Sequence, residues 1–543
     1  MSSCNFGAKT FTIANPSPGK SCNFGSKTFT IAALSGITVA INYNTARRQI
    51  DAAQKNQEWE RVSAWTNRVR SPTTAYSCNS EYHPMYPSMT QEDNTYLSML
   101  NNQGTTLLSV GIESDTADAI LPVWNANGTT RKNTIELNAR TYLWPVLDGL
   151  VNNCQKHIYL RIHCPPACVV SRGVSGTYDE DTRRMIAAYL DVISSTKTIA
   201  TNFMHFVADI VNLCYARYGG TECNQWIFSV GNEVDQAKIY PSDSNWDTAN
   251  NLIAQYIWWM SNALTQPDPW ANCPNARFVG CEFTGRANMD SLVQYLYNRR
   301  TSDPNNYLGQ VYGLAWHPYG GGGTANPTDS CLDTAQNDPQ DVLITLQPQL
   351  DAIAQAKGSP STHIMFGEAS ITAQWDDPRN VSWLNAVFST LLTVESYYCG
   401  IRAKIEFDDL GPYGFAYCLH NLTPYPVYYG QKLLKDVVNF STSDTFCQCD
   451  GSDYTAITTF ALKCPSKDVV LVFNRRSAAQ TAQMNITLEA ARAINGTVTQ
   501  TRYEQSQNNP NVTTIGTTSI GYTNRHFTET ITVPAYSLTV LTF

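Results

Sequence analysis

The sequence predicts an α/β protein: a closed (β/α)8 barrel of the TIM type followed by an antiparallel β-sandwich. Three observations predict it. Eight short apolar runs recur between residues 37 and 407, with helical stretches between several of them. Two of those runs end alike, Trp226–Val230 in Gly231, Asn232 and Glu233, and His363–Phe366 in Gly367 and Glu368. From about Ser441 the texture shifts to short alternating runs rich in Thr and Val, with Asn-Gly turns.

The chain opens on a tandem repeat. Ser3–Ala14 reads SCNFGAKTFTIA and Ser21–Ala32 reads SCNFGSKTFTIA, differing only at Ala8 and Ser26. Each copy ends in the strand-like run K-T-F-T-I. One pair of copies is too little for a solenoid. It is either a duplicated edge strand or an artefact of gene assembly. Within residues 1–35 the second copy is expected to become a strand of the sandwich and the first to stay peripheral.

Residues 36–440 carry the barrel pattern. Candidate strands are Ile37–Ile41, Thr106–Val110, Ile158–Ile162, Trp226–Val230, Arg277–Phe283, Val311–Trp316, Ile364–Phe366 and Ile401–Phe407. Helices are expected at Arg184–Thr196, Thr201–Tyr218, Thr248–Leu264, Met289–Arg299, Gln340–Lys357 and Tyr425–Asn439. An open doubly wound sheet would want a glycine-rich phosphate loop after its first strand, and Ile37–Tyr43 has none. The sandwich, residues 441–543, draws on Ala456–Leu462, Asp468–Phe473, Gln483–Leu488, Thr497–Tyr503, His526–Val533 and Ser537–Phe543.

Composition narrows the function. The 543 residues are 43% hydrophobic and 15% charged, enough for a large core and more than one domain. A net charge of −8 with no long basic run argues against nucleic acid or an anionic membrane surface as partner. No run of 18 apolar residues is present to span a membrane. The 29 Tyr and 12 Trp exceed what a core needs, and flat aromatic faces suit sugar rings. The 16 cysteines show no C-x-x-C spacing and the eight histidines no metal pattern, so neither metal nor cofactor is expected. Several cysteines are read as disulfides, with at least one among Cys447, Cys449 and Cys464. That implies an oxidising compartment. Seven N-x-S/T sequons, Asn127, Asn380, Asn421, Asn439, Asn485, Asn495 and Asn511, occur at the frequency chance gives and merely permit secretion. The first 27 residues show no signal peptide, so a secreted protein implies a removed signal or a misplaced gene start.

The paired strand ends carry the chemistry. Two parallel strands that each deliver a glutamate at the C-terminal end place both carboxyls over one cavity. Glycoside hydrolysis needs such a pair: a proton donor for the leaving oxygen and a second carboxylate at the anomeric carbon. The donor must stay protonated and the nucleophile ionised, so their surroundings must differ.

V-G-N-E at Val230–Glu233 and F-G-E at Phe366–Glu368 resemble the strand ends of clan A glycoside hydrolases. The resemblance implies that Glu233 is the acid/base, Asn232 the ligand of the sugar 2-hydroxyl, and Glu368 the nucleophile. L-A-W-H-P-Y at Leu314–Tyr319 is similar to family 79, the β-glucuronidases and heparanases, as is Asn421–Lys435. Families 30 and 39 share the sandwich and similar strand ends. The resemblance covers most of residues 36–543 and implies a secreted retaining enzyme that cleaves β-glycosidic bonds by double displacement, with a β-glucuronidase as the finer reading. A β-xylosidase, β-glucosidase or mannan-active enzyme is the alternative, and a non-catalytic carbohydrate-binding wall protein the rival of another class. Its partner is an oligosaccharide, polysaccharide or glycoside; exo or endo action and oligomeric state are open.

Other positions follow from the same resemblance. Tyr319 would hydrogen-bond the nucleophile, or simply pack. His317 would touch substrate or cap its strand, and Trp316 would be core or a sugar platform. Tyr413, in the loop Asp408–Gly414, would help hold a sugar carboxylate. Ile112–Glu113 stands where these families carry an arginine near the nucleophile; Arg161 is either its substitute or part of a structural ion pair. No basic cluster suits a sulfated polymer.

Overall fold

The computed structural model describes residues 2–6, 9–13, 21–24, 27–30, 37–51, 54–60, 98–99, 101–102, 104–153, 155–170, 180–233, 235, 246–267, 270–322, 325–374, 377–406, 424–451, 455–506 and 509–543. Two hairpins come first. β1 (Ser2–Phe6) pairs with β2 (Lys9–Ile13), and β3 (Ser21–Phe24) with β4 (Lys27–Thr30). Each copy of the repeat therefore folds back on itself, and the second copy is not the sandwich strand expected of it. The strand recruited there is the next one, β5 (Ile37–Gln49), which had been read as the opening strand of the barrel. Its first half alternates buried and exposed positions, the mark of a strand with one wet face.

The barrel begins instead at β6 (Lys55–Glu60) and continues through β7 (Leu107–Ile112), β8 (His157–Ile162), β9 (Ile227–Val230), β10 (Arg277–Phe283), β11 (Gly313–Trp316), β12 (His363–Phe366) and β13 (Ala403–Glu406). β13 pairs with β6, so eight parallel strands close the ring. Alternation along each strand sorts the side chains. Leu107, Tyr159, Ile227, Val279, Ala315, Met365, Ala403 and Ile405 fill the interior. Leu108, Leu160, Phe228, Leu314 and Ile364 face the helices.

The helical layer is denser than the sequence suggests. Helix Gly128–Tyr142 starts at Asn127, whose Oδ1 accepts from the Thr130 amide at 3.0 Å. Helix Trp383–Cys399 is capped by Ser382 and ends at Gly400, whose φ of 86° only glycine adopts at low cost. The helix expected at Gln340–Lys357 is Gln347–Lys357, preceded by a π turn at Val342–Leu346 and a further helix, Thr328–Asp341. Among the described residues no helix is long and apolar enough to cross a membrane.

The sandwich adds β14 (Thr445–Gly451), β15 (Ile457–Lys463), β16 (Asp468–Asn474), β17 (Gln480–Thr487), β18 (Gly496–Ser506), β19 (Asn509–Tyr522), β20 (His526–Val533) and β21 (Ser537–Thr542). With β5 they make one sheet, antiparallel except where β5 meets β17. The sheet doubles over a core that includes Val39, Val470, Val472, Met484 and Ile531. Its other face, with Phe446, Phe460, Leu462, Val469 and Leu471, is continuous with the core outside the barrel. Polar ties reinforce that junction: Trp383 Nε1 donates to the Tyr536 carbonyl at 3.0 Å, and Arg476 pairs with Asp333 at 2.8 Å.

The expected disulfide is not formed: Cys447, Cys449 and Cys464 are free thiols. Cys447 points into the inner sandwich core and Cys464 into the barrel-side core, so the sheet lies between them. Cys164, Cys168, Cys214, Cys223, Cys273, Cys281, Cys331 and Cys399 are free as well.

Candidate active site

The site is built at the C-terminal end of the barrel, from the ends of five strands. β9 runs into Gly231 (φ 92°) and then Glu233, itself left-handed at φ 46°. Such a backbone costs a non-glycine residue of order 1 kcal/mol, and the surroundings must hold it. Asp235 does so: it accepts from the Thr284 amide at 2.8 Å, the Thr284 hydroxyl at 2.7 Å and Asn288 Nδ2 at 2.7 Å. The loop is thereby pinned to the segment after β10.

At the end of β12, Glu368 is buried and held by donors. Its Oε1 accepts from Arg161 Nη1 at 2.8 Å and its Oε2 from the Tyr319 hydroxyl at 2.7 Å. His317 Nδ1 stands 3.4 Å from the same Oε2. Burial alone would raise its pKa, but His317, Arg161 and the Tyr319 bond outweigh it and hold the carboxyl below its ordinary value. Burial, with the same Glu368 charge, pushes the Tyr319 hydroxyl well above the usual tyrosine range.

His317 lies at the centre. Nδ1 is 2.8 Å from Glu233 Oε1 and Nε2 is 3.0 Å from Glu282 Oε2. Burial opposes charge on the ring, yet Glu368, Glu233 and Glu282 together raise its pKa to about 10. Glu233, His317 and Glu368 each offer one ligand-type atom, all within 4.8 Å of one another. A metal there would need a bare ring nitrogen, which this environment disfavours.

The sequence-derived candidates thus divide. Glu233, Glu368, His317 and Tyr319 meet in one cluster. Asn232 sits beside Glu233, its buried Oδ1 without a hydrogen-bond partner. Arg161, on β8, joins them through its bond to Glu368. Trp316 does not reach the site. It alternates outward from His317, packs edge-to-face on Phe366 at 4.8 Å and lies in the core under the helices. Tyr413 lies outside the described residues.

One buried residue was missed by the sequence reading. Glu282 is 1% exposed and accepts from the Tyr159 hydroxyl at 3.0 Å, Arg161 Nε at 3.0 Å and the Ser229 hydroxyl at 2.6 Å. Arg161 Nη2 donates to its other oxygen. Simple alternation from Val279 would turn Glu282 outward. An irregularity in the β10–β11 register between Val279 and Glu282 turns it in, and G-C-E-F gives no hint of that.

No family model matches the chain, and no curated relative does. Solved structures share the fold. A GH30 endoxylanase from Clostridium papyrosolvens C71 is 15% identical over 93% of this chain and 99% of its own, at a TM-score of 0.52. A GH39 enzyme from Xanthomonas axonopodis pv. citri is 12% identical over 94% and 97%, at 0.54. An α-L-arabinofuranosidase from Thermotoga maritima is 10% identical over 94% and 100%, at 0.55. The class defined is a barrel-plus-sandwich fold, shared across nearly the whole length of glycoside hydrolase structures. Families 30 and 39, expected to share the sandwich, are both represented.

Proposed function

We propose that the protein is a retaining glycoside hydrolase acting on β-glycosides. One observation carries the reading: carboxylate oxygens of Glu233 and Glu368 lie within 4.8 Å of each other, astride His317. Retaining enzymes hold their carboxyls about 5–5.5 Å apart, whereas inverting ones need about 6.5–9.5 Å for a water between them.

The surroundings support the division of roles. Glu368, held ionised by Arg161, Tyr319 and His317, attacks the anomeric carbon and forms the glycosyl-enzyme. Glu233 is the more open of the two, with 19% of its side chain exposed, and gives its proton to the leaving oxygen. It then takes a proton from the water that hydrolyses the ester. Asn232, whose Oδ1 has no partner, would accept from the sugar 2-hydroxyl. A non-catalytic sugar-binding protein has no use for this pair of differently held carboxyls. Within the class, a β-glucuronide is the finer reading, supported by the likeness of Leu314–Tyr319 to family 79. The structural neighbours include an endoxylanase and an arabinofuranosidase, which makes β-xylosides the contrasting substrates.

A panel of aryl β-glycosides tests this, with Glu368→Ala and Glu233→Ala beside the wild type. Glu368→Ala should abolish turnover with every leaving group. Glu233→Ala should lose roughly 10²–10⁴-fold on poor leaving groups. It should keep activity on dinitrophenyl glycosides and be accelerated by azide, giving a β-glycosyl azide. Azide rescue of Glu368→Ala with an α product would exchange the roles, and loss of only a few-fold in both variants would refute the site.

A further inference from the structure

We propose that Glu282 is a positioning residue of this site, whose two carboxylate oxygens lock Arg161 onto the nucleophile and hold the His317 ring between the two catalytic carboxyls. The inference rests on the reading of Glu233 and Glu368 given above.

Glu282 is too deep to touch substrate. It lies beneath the site and is saturated from below and beside: Tyr159, Ser229 and Arg161 Nε on Oε1, Arg161 Nη2 and His317 Nε2 on Oε2. Its reach to the chemistry is therefore indirect, by two routes. Arg161 spends Nε and Nη2 on Glu282, which orients its third nitrogen, Nη1, toward Glu368 at 2.8 Å. A planar guanidinium cannot satisfy both carboxylates in any other rotation. The second route runs through His317. Its Nε2 is fixed by Glu282 at 3.0 Å, which leaves Nδ1 facing Glu233 at 2.8 Å and Glu368 at 3.4 Å. Nε2 then faces the Glu282 carboxylate, and Nδ1 lies 3.4 Å from the Glu368 carboxylate, so a ring with both protons serves both anions. The groups around it come from several elements: Arg161 from β8, Glu233 after β9, Glu282 from β10, Glu368 after β12, and Tyr319 two residues along.

Gly367 supplies an independent observation. Its φ is not positive, so backbone strain does not call for glycine there. Space does: a Cβ at Gly367 would sit 2.1 Å from Glu282 Oε2 and 3.2 Å from Arg161 Nη2. The glycine of F-G-E thus leaves room for the Glu282 carboxylate. Arg161 Nη2 also donates to the Gly367 carbonyl at 3.0 Å, tying the strand end that bears the nucleophile to the same cluster.

The experiment is a pH titration of the His317 ring by NMR in the full chain, wild type against Glu282→Gln. Steady-state kinetics on a dinitrophenyl β-glycoside, which needs no proton from Glu233, run alongside. The wild-type ring should keep both protons through about pH 9, its charged form being lost only as pH rises through its raised value of about 10. In Glu282→Gln the ring should lose a proton at least about one pH unit lower. Turnover should fall about 10–100-fold, the size of loss seen when the carboxylate partner of a metal-bound histidine is removed. KM should change little, the alkaline limb of kcat should move to lower pH, and Glu282→Asp should restore part of both. An unmoved His317 titration overturns the proposal, and so does a kcat profile of unaltered shape within a few-fold of wild type. If Glu282→Gln does not fold, Gly367→Ala makes the same test by crowding the carboxylate from the other side. A wild type that cleaves no β-glycoside would refute the proposed function, while the NMR titration would still decide whether Glu282 holds the ring.

Discussion

Two clusters of buried charge sit on the same barrel, and they are built on different balances. On β13, Lys404 pairs with Glu406 and donates to the Ser389 hydroxyl at 3.0 Å. Ser389 in turn donates to Glu406 at 2.7 Å and accepts from Gln431 at 2.7 Å. One cation meets one anion, facing helices Trp383–Cys399 and Pro426–Val437, and neither is more than 2% exposed. At the strand ends, three carboxyls, Glu233, Glu282 and Glu368, surround Arg161 and His317. That cluster opens on one side through Glu233, 19% of whose side chain is exposed. A pair matched in charge and shut from solvent serves the fold. A cluster with one carboxyl more than its two cations balance, and an open side at Glu233, suits proton exchange.

Breaking the matched pair should give the larger effect on stability. Lys404→Met leaves Glu406 buried without its cation and should cost about 3–5 kcal/mol, read as a lower midpoint in denaturant. Activity per folded molecule should not change, since the pair faces the helices. Replacing both residues, Lys404→Met with Glu406→Gln, should recover most of the loss. A fall in kcat at full folding would show that the two clusters are coupled.

Asn232→Ala should do the reverse. Removing a buried acceptor that has no partner costs the fold little, within about 0.5 kcal/mol by thermal melting. The loss should appear in kcat/KM, roughly 100-fold, because hydrogen bonds at the sugar 2-hydroxyl strengthen in the transition state. Unchanged kinetics with a lower melting point would make Asn232 part of the scaffold.

The same contrast governs what the sequence could reveal. Seven barrel strands were legible because they are apolar runs bounded by turns. β6 reads K-N-Q-E-W-E, with hardly an apolar residue, and its place was given instead to Ile37–Ile41. Helix Trp383–Cys399 was missed because it is buried around most of its circumference and shows little amphipathic period. In the site, Glu233 and Glu368 were legible because each ends a strand in a motif. Glu282 was not, since a register irregularity inside β10 decides which way it points. For Trp316 the sequence allows core or sugar platform, and its outward turn beside His317 puts it in the core.

The central claim is that Glu368 becomes covalently bonded to the sugar. Incubation with an activated 2-deoxy-2-fluoro β-glycoside, followed by peptic digestion and mass spectrometry, tests it most directly. The account predicts a single glycosyl ester on the peptide carrying Glu368, formed as activity is lost. An ester on Glu233 or Glu282, or turnover with no trapped ester and an α product, would contradict it.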